Sequence, residues 1–260
     1  MKLFSGQKLS LVAAVTALGL MSEIPVAHAH PGARVEMELE TSSPASAGRI
    51  RFAFELVDNT QRKAITASDL EVTHEKLLHV FIFDAALKEF SHVHPDFVDG
   101  QWVVEVDLPV SGSYSIWAQG QLAADHSEFA TEEQFTVTGG TAANSTPPVL
   151  GEVKVGAAGI SQVSLGYGRL HAGSMAMVML NFSHTDGSAP ALTPYLGAMA
   201  HIVAVSSDSE SLLHVHPMNG SGPNDMMIHT EFPAVGEYRI WVQFIDGGVL
   251  KTVPLSVSVQ

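Results

Sequence analysis

The chain has 260 residues, of which 46% are hydrophobic, and its formal net charge is −14 at pH 7. This acidic balance argues against nucleic acid and anionic lipid as partners, because both require a basic protein surface. The sequence contains no cysteine, which excludes zinc fingers, iron–sulfur clusters and blue-copper centres, since each needs a thiolate ligand. Any metal site must therefore use nitrogen, oxygen or thioether ligands.

The first 29 residues have the three parts of an export signal. Two lysines supply positive charge, an apolar run covers residues 9–20, and Ala27-His28-Ala29 places small residues around a cleavage position. The apolar run is too short to cross a bilayer as a helix. We therefore predict a signal peptide over residues 1–29, cleavage after Ala29, and a periplasmic or secreted bacterial protein without a membrane span.

A short polar linker divides the remaining chain into two similar halves. Residues 139–148 are rich in small and polar residues and end in two prolines, which is typical of a linker. Both halves contain the pattern P-x-x-G-x-Y-x-I-W-x-Q, starting at Pro109 and at Pro233. We therefore predict an internal duplication with one domain over residues 30–138 and a second over residues 149–260.

Both halves consist of short apolar runs separated by turn residues, and this spacing predicts the strands of β-sandwiches. The G-x-Y segment before the I-W pair resembles the tyrosine corner of immunoglobulin-like domains. The predicted fold is all-β, with two tandem immunoglobulin-like or cupredoxin-like β-sandwich domains. The predicted strands cover residues 49–56, 102–108, 114–119 and 133–137, then 175–182, 226–232, 238–244 and 250–259. The predicted core and corner residues are Tyr114, Ile116, Trp117, Tyr238, Ile240 and Trp241.

A three-histidine pattern occurs once in each half, on two apolar runs joined by a polar turn. Such a pair of runs predicts a β-hairpin, and a symmetric turn would pair residues whose numbers sum to 173 in the first copy and 417 in the second. The first and third histidines then lie opposite each other, and the second lies two residues further along the same face. All three imidazoles of a copy should converge on one side of the hairpin. The two sets are His79, His92 and His94, and His201, His214 and His216.

Three neutral imidazoles on a rigid hairpin can form a coordination shell for a transition metal. We therefore expect two metal sites, for copper or alternatively for zinc. In a second interpretation the histidines only hydrogen-bond to each other, and the protein is a structural or protein-interaction module. An enzyme is less expected, because the sequence has no carboxylate at a fixed spacing to act as a base and no G-x-S-x-G motif. We predict no catalytic residues.

Methionines and one further histidine add weaker candidates. Met199 and Met218 each lie two residues from a hairpin histidine and could cap the second site, because a thioether is a soft ligand. His74 lies five residues before His79 and could add to the first site. Seven of the ten methionines lie between residues 175 and 227. Three of them alternate along one predicted strand, where we expect core packing rather than ligation; they are Met175, Met177 and Met179.

The repeated motifs resemble those of a group of bacterial exported proteins, mostly uncharacterised. These proteins carry H-x12-H-x-H-P hairpins followed by G-x-Y-x-(I/L)-(W/F)-x-Q, and they are often encoded beside copper- or heavy-metal-handling genes. The closest matches here are residues 194–201, 214–217 and 236–243. The resemblance implies a periplasmic metal-binding protein, most readily for copper, that acts in delivery, buffering or resistance and meets another periplasmic copper-handling protein.

A looser similarity is to the CopC-like periplasmic copper carriers, which are small β-sandwiches with an N-terminal histidine and a D-x-H on a late loop. His30 would become the N-terminus after cleavage, where its amine and ring could together chelate a metal. Asp125 and His126 occupy the place of the D-x-H, although they are adjacent here. The similarity implies weaker metal candidates at His30, Asp125 and His126.

Overall fold

The computed structural model describes residues 26–28, 33–142 and 149–260. Most of the predicted signal peptide, His30 and most of the predicted linker therefore lie outside the described residues. Strand β1 (Val26–His28) precedes the first half and pairs with the second. In the first half the strands are β2 (Val35–Leu39), β3 (Ala45–Ser46), β4 (Gly48–Asp58), β5 (Lys63–Ala64), β6 (Leu78–Asp84), β7 (Phe90–Val93), β8 (Asp96–Val98), β9 (Gln101–Leu108), β10 (Val110–Gln121), β11 (Glu128–Thr138) and β12 (Thr141–Ala142), with one 3-10 turn at Ala67–Asp69.

In the second half the strands are β13 (Val155–Ala158), β14 (Ser161–Tyr167), β15 (Met175–His184), β16 (Leu192–Thr193), β17 (His201–Ser206), β18 (Ser211–Val215), β19 (Met218–Asn219), β20 (Asp225–Glu231), β21 (Gly236–Asp246) and β22 (Val249–Val259). The described residues thus contain all eight predicted strands, most of them slightly longer than predicted. No helix among the described residues is long and apolar enough to span a membrane.

The strands form four sheets, two in each half. In the first half β3-β11-β10-β6-β7, with β12 beside β10, packs over β2-β4-β9-β8, with β5 beside β4. In the second half β1-β18-β17-β21-β16, with β22 beside β21, packs over β13-β14-β15-β20-β19. The protein is therefore all-β and is built as a tandem of β-sandwiches. We call the sheets that contain β6 and β17 the inner sheets, and the other two the outer sheets.

Each half has its own hydrophobic core between its inner and outer sheet. Strand β15 shows how the sequence produces this layer, because Val178, Leu180 and Phe182 are buried while the residues between them point outwards. This alternation is the period of two that a half-buried strand requires. The first half repeats it on β4, where Phe52 and Phe54 are fully buried.

A third apolar cluster lies between the halves and explains why the inner strands are apolar on both faces. Every residue of β6 and of β17 is buried, as expected for strands covered on both sides. Trp117 and Trp241 belong to this cluster and not to the core of either sandwich. On β10 the ring of Tyr114 faces its own sandwich, so Trp117, an odd number of residues further, faces the other half. The cluster consists of Phe81, Phe83, Leu87, Trp117, Leu150, Val203, Val205, Leu212 and Trp241.

Both hairpins have the predicted register. Phe81 pairs with His92 in the first half, and Val203 pairs with His214 in the second. The predicted tyrosine corners are also present, since the Tyr114 hydroxyl donates to the carbonyl of Val110 and the Tyr238 hydroxyl donates to that of Ala234. The hairpins are therefore held in equivalent places on the two inner sheets.

Candidate metal centre

The two hairpins face each other, and their histidines form one cluster across the two halves. The rings of His79 and His214 have centroids 5.0 Å apart, and those of His92 and His201 are 5.5 Å apart. His74, from the turn before the first hairpin, lies against His216 of the second half, at a centroid distance of 3.5 Å. The sequence predicted two triads but could not show that they meet.

Two groups of three histidines are close enough to hold a metal ion. The first group is His79, His92 and His214, and the second is His201, His214 and His216; within each group the ligand nitrogens lie within 4.8 Å of one another. The second group is the set that the sequence predicts for the second hairpin. In the first group His214 of the other half stands with His79 and His92, while His94 places its Nε2 3.2 Å from Nδ1 of His79. His214 is common to both groups.

The protonation of the first hairpin follows from its hydrogen-bond partners. Nε2 of His79 lies 3.1 Å from the carbonyl oxygen of Thr73, which can only accept, so Nε2 carries the proton and Nδ1 has a lone pair that faces both His92 and His94. Nδ1 of His92 lies 2.9 Å from Oε1 of Gln243. The Gln243 amide nitrogen donates to Thr252, so its oxygen accepts from His92, and Nε2 of His92 is left with a lone pair.

Two lone pairs therefore face each other, because Nδ1 of His79 is 3.2 Å from Nε2 of His92. A shared proton is disfavoured, since burial lowers the pKa of His79 to about 4 and lowers that of His92 well below its usual value. Two nitrogens bound to one tetrahedral ion at about 2.0–2.1 Å each lie roughly 3.3 Å apart. The pair has the separation and the tautomers of two metal ligands.

The second hairpin repeats most of this arrangement. Nε2 of His201 donates to the carbonyl oxygen of Tyr195 at 2.8 Å, so its Nδ1 has the free lone pair. That atom lies 3.2 Å from Nε2 of His214 and 2.7 Å from Nε2 of His216. The shorter distance fits a direct hydrogen bond as well as shared ligation. Gln119 is the counterpart of Gln243, but its Oε1 is buried without a partner among the described residues.

Burial keeps the whole cluster neutral. It is the main cause that lowers the pKa of every hairpin histidine, to about 3 for His94 and about 2 for His216. The pKa values of His201 and His214 are lowered for the same reason. Neutral imidazole is the form that binds metal. Neither group of three within the described ranges includes a carboxylate.

The turns that precede the hairpins supply the carbonyls that orient the first histidine of each set. In the first half His74 and Glu75 have φ values of 51° and 65°, and in the second half Leu196 and Gly197 have 47° and 76°. Only glycine adopts this region without strain, so the first turn is the more strained of the two. That turn carries His74, which reaches the opposite half.

The weaker candidates from the sequence lie elsewhere. Asp125 is bound by Arg34 and Ser127, and His126 lies 2.9 Å from Glu71. Among the residues that the structure describes, neither belongs to a group of three potential ligands. His30 lies outside those residues, so the chelate with a free N-terminus stays a prediction.

The two methionine candidates are Met199 and Met218. Met199 packs against the core of the second half. Met218 is on β19, at the edge of the outer sheet, opposite Met227. The expectation that Met175 and Met177 fill a core is wrong, because their side chains are 66% and 55% exposed. The reason is the phase of β15, which turns the residues between the methionines inwards.

The sequence did not identify Gln243, Thr73 or Tyr195 as parts of the site. Gln243 ends the repeated I-W-x-Q motif, so its recurrence was a usable signal. The two carbonyls leave no such signal, because any residue type has a carbonyl oxygen. The meeting of the two triads is equally invisible in a sequence, since it depends on how the halves pack.

Comparison with known proteins places the chain in a family. The model of the family described as "Domain of unknown function (DUF8832)" matches twice, over residues 27–139 and 156–260, and the chain belongs to this family. No curated protein matches the sequence. One crystal structure, of a protein from Corynebacterium diphtheriae described as membrane anchored, aligns at 11% identity over 88% of this chain and 58% of that chain, with a TM-score of 0.26. The chain thus spans less than two thirds of that protein.

Proposed function

We propose that this protein binds a transition-metal ion in the histidine cluster between its two halves, and that copper is its physiological metal. On this proposal it is exported to the bacterial periplasm, where it acts in copper delivery, buffering or resistance. It is a carrier and not an enzyme. The observation that carries the metal assignment is the pair of facing lone pairs on His79 and His92, 3.2 Å apart.

Without a metal, the contact between His79 and His92 would have to be a hydrogen bond. The other contacts of both rings argue against a hydrogen bond, because they place the proton of each ring on its other nitrogen. His79 donates from Nε2 to Thr73, and His92 donates from Nδ1 to Gln243. Such partners on the remote ring nitrogen are the usual way in which proteins fix the tautomer of a metal-binding histidine. The site is also buried, which lowers the pKa of both rings and keeps both nitrogens free of protons.

The preference for copper over zinc depends on the donor set. The groups contain imidazole nitrogen alone, which suits both metals, and for a given site affinity peaks at Cu(II) in the divalent series. The resemblance to exported proteins encoded near copper-handling genes supports the same choice. Zinc remains the alternative metal, and competition between the two ions decides between them.

Metal retention tests the proposal. The purified protein is loaded with equimolar Cu(II) and Zn(II), desalted and analysed for both elements, beside His92→Ala and the control His171→Ala. His171 is exposed and outside both groups, so its variant should retain as much copper as the wild type. His92→Ala should lose most of the metal. If His92→Ala retained as much metal as the wild type, the metal assignment to this cluster would be contradicted. If the wild type retained zinc but no copper, zinc would be the metal of the site.

A structural role is the second candidate, and the second hairpin favours it. The 2.7 Å contact between His216 and His201 has the length of a direct hydrogen bond. If the histidines only hydrogen-bond, the protein should retain neither copper nor zinc, and its melting temperature should not change with either ion. A metal-binding protein should instead melt at a higher temperature when metal is present, because the folded state binds the ion.

A further inference from the structure

The outer sheet of the second half presents an unusual face to solvent. Strands β15, β19 and β20 place five methionines and one histidine there, and the most exposed are Met175, Met177 and Met218, at 66%, 55% and 49%. The outward face of an antiparallel sheet is normally polar. We call this face the methionine face; it consists of Met175, Met177, Met179, Met218, Met227 and His229.

The strand register brings four of these side chains into one square. Met179 pairs with Met227, and Met177 pairs with His229 two residues further along the same two strands. Directly opposed residues have Cβ atoms about 4.5–5.5 Å apart, and residues two apart share a face. Met218 continues the row, because it pairs with the other side of Met227. Three thioethers and one imidazole can thus reach a common point above the sheet.

Two details favour a ligand in the square. Nε2 of His229 is a buried atom with no hydrogen-bond partner among the described residues. On the other side of Met179 the neighbouring strand has Gly166 in register, so no side chain there covers the thioether. The square therefore has one ring nitrogen without a hydrogen-bond partner among the described residues and, at Met179, a thioether with no side chain beside it on the neighbouring strand.

The first half carries no thioether or imidazole at the same four positions. Arg51 pairs with Glu105 at the place of Met177 and His229, and Ala53 pairs with Val103 at the place of Met179 and Met227. Glu105 forms its ion pair with Arg49, at the place of Met175, and accepts a hydrogen bond from Arg49 Nε at 2.8 Å. The second half thus has thioether and imidazole where the first has an ion pair.

We propose that the methionine face is a second metal site, specific for Cu(I), with Met177, Met179, Met227 and His229 as its ligands and Met218 beside them. Thioether sulfur is a soft donor that selects Cu(I) over the divalent ions. The site is on the outer sheet, so it is separate from the histidine cluster on the inner sheets. It does not depend on the function proposed for that cluster.

Anaerobic Cu(I) titration against a chromophoric Cu(I) chelator tests the site, with X-ray absorption to identify the donors. The test variant is Met177→Leu/Met179→Leu/Met227→Leu, since leucine keeps size and apolarity but removes sulfur. The control is Met199→Leu/Met226→Leu, which changes methionines that pack inwards. The wild type and the control should show sulfur ligands at about 2.3 Å, the usual metal–sulfur distance, and the test variant should bind Cu(I) at least tenfold more weakly with no sulfur ligand.

A second variant guards against loss of folding. Met177→Arg/His229→Glu installs the two residues that the first half carries at the equivalent register pair, so it should fold, and it should bind Cu(I) more weakly because two of the four ligands are gone. Retention of Cu(II) by the histidine cluster should be unchanged in both variants, which separates the two sites. The proposal would be overturned if the leucine variant bound Cu(I) as tightly as the wild type. It would also be overturned if X-ray absorption of the wild type showed only nitrogen and oxygen ligands.

Discussion

The two halves of the molecule are alike where they face each other and different where they face solvent. On the inner sheets both halves keep a hairpin with three histidines in the same register. On the outer sheets an ion pair in the first half occupies the place of thioethers and an imidazole in the second. The inner faces are constrained by contact with each other, whereas a solvent-facing sheet position accepts any side chain that the pleat can carry.

The inner faces differ in one respect that affects metal binding. Gln243 orients His92 across the contact between the halves, whereas Oε1 of Gln119 has no partner in the described part of the chain. The first hairpin is therefore the better fixed of the two for metal. A duplicated sequence can thus produce two sites of unequal quality, because packing between the copies is not symmetric.

The largest expected effect is acid destabilisation of the metal-free protein. His79, His92, His201 and His214 are buried, and burial lowers the pKa of each below 6.5 in the folded state. Between pH 6.5 and 5 the unfolded chain therefore binds more protons, so this stability is present above pH 6.5 and is lost as the pH falls. His79, whose pKa in the folded state is about 4, contributes roughly 2 kcal/mol over this window.

Urea unfolding at pH 7.5, 6.5, 5.5 and 5.0 measures this loss. The window lies above the normal range of carboxylates, so their protonation adds little. The midpoint should fall steeply below pH 6.5 in the metal-free protein. A midpoint that stays constant down to pH 5 would mean that the histidines are not buried together as described.

The next largest effect is the loss of folding stability when each of the two equivalent tryptophans in the cluster between the halves is replaced. Trp241→Ala should lower the free energy of unfolding by about 3–5 kcal/mol, since it removes a large buried side chain. Trp241 also stacks on Phe90, with ring centroids 4.3 Å apart. Trp117→Ala should cost about 1 kcal/mol less, because among the described residues its ring stacks on no other aromatic ring and its buried Nε1 has no hydrogen-bond partner. Chemical denaturation measures both, and the reverse order would contradict this description of the interface.

The glutamines give a smaller and more specific effect on metal binding. Gln243→Leu should weaken copper affinity by about 10–100-fold, the usual effect of removing a partner that orients a metal-binding histidine. Gln119→Leu serves as the matched control and should change affinity much less. Isothermal titration with Cu(II) measures both. Equal losses of copper affinity in the two variants would contradict the conclusion that the first hairpin is better fixed for metal than the second.

The smallest effect concerns the turns before the hairpins. Glu75→Gly should stabilise the protein by about 1 kcal/mol, because its φ of 65° is a region that glycine adopts without strain. Gly197→Ala, at the equivalent turn of the second half, should destabilise it by a similar amount, since its φ of 76° is a region that alanine adopts only with strain. Thermal melting measures both changes. A loss of stability in Glu75→Gly would contradict the prediction that the backbone at this turn is strained.

Much of the fold could be predicted from the sequence, because its signals are local. The alternation of apolar residues predicts the strands, and the symmetric spacing of histidines predicts the hairpin register. The tyrosine corners follow from the G-x-Y motif. The place of Trp117 and Trp241 could not be predicted, since a buried side chain on a strand covered on both faces has no sequence signal that tells one core from another.

The site could be predicted only as two separate triads. The residues of the second triad are together in one group, while in the first His214 of the other half joins His79 and His92. The alternation of the methionines fits either face of a strand and therefore does not distinguish core from surface. The apolar residues between them are the buried ones, and they place the methionines on the outer face.

The most direct test of a single centre shared by both halves is the metal content of His214→Ala. His214 belongs to both groups of three histidines, so its loss should remove nearly all the copper retained by the wild type after loading and desalting. Circular dichroism and a tyrosine-corner control, Tyr114→Phe, confirm that the variant is folded and that a general loss of stability does not release the metal. If the two hairpins held independent sites, His214→Ala would leave the first site intact. Retention of half of the wild-type copper by this variant would therefore contradict a shared centre.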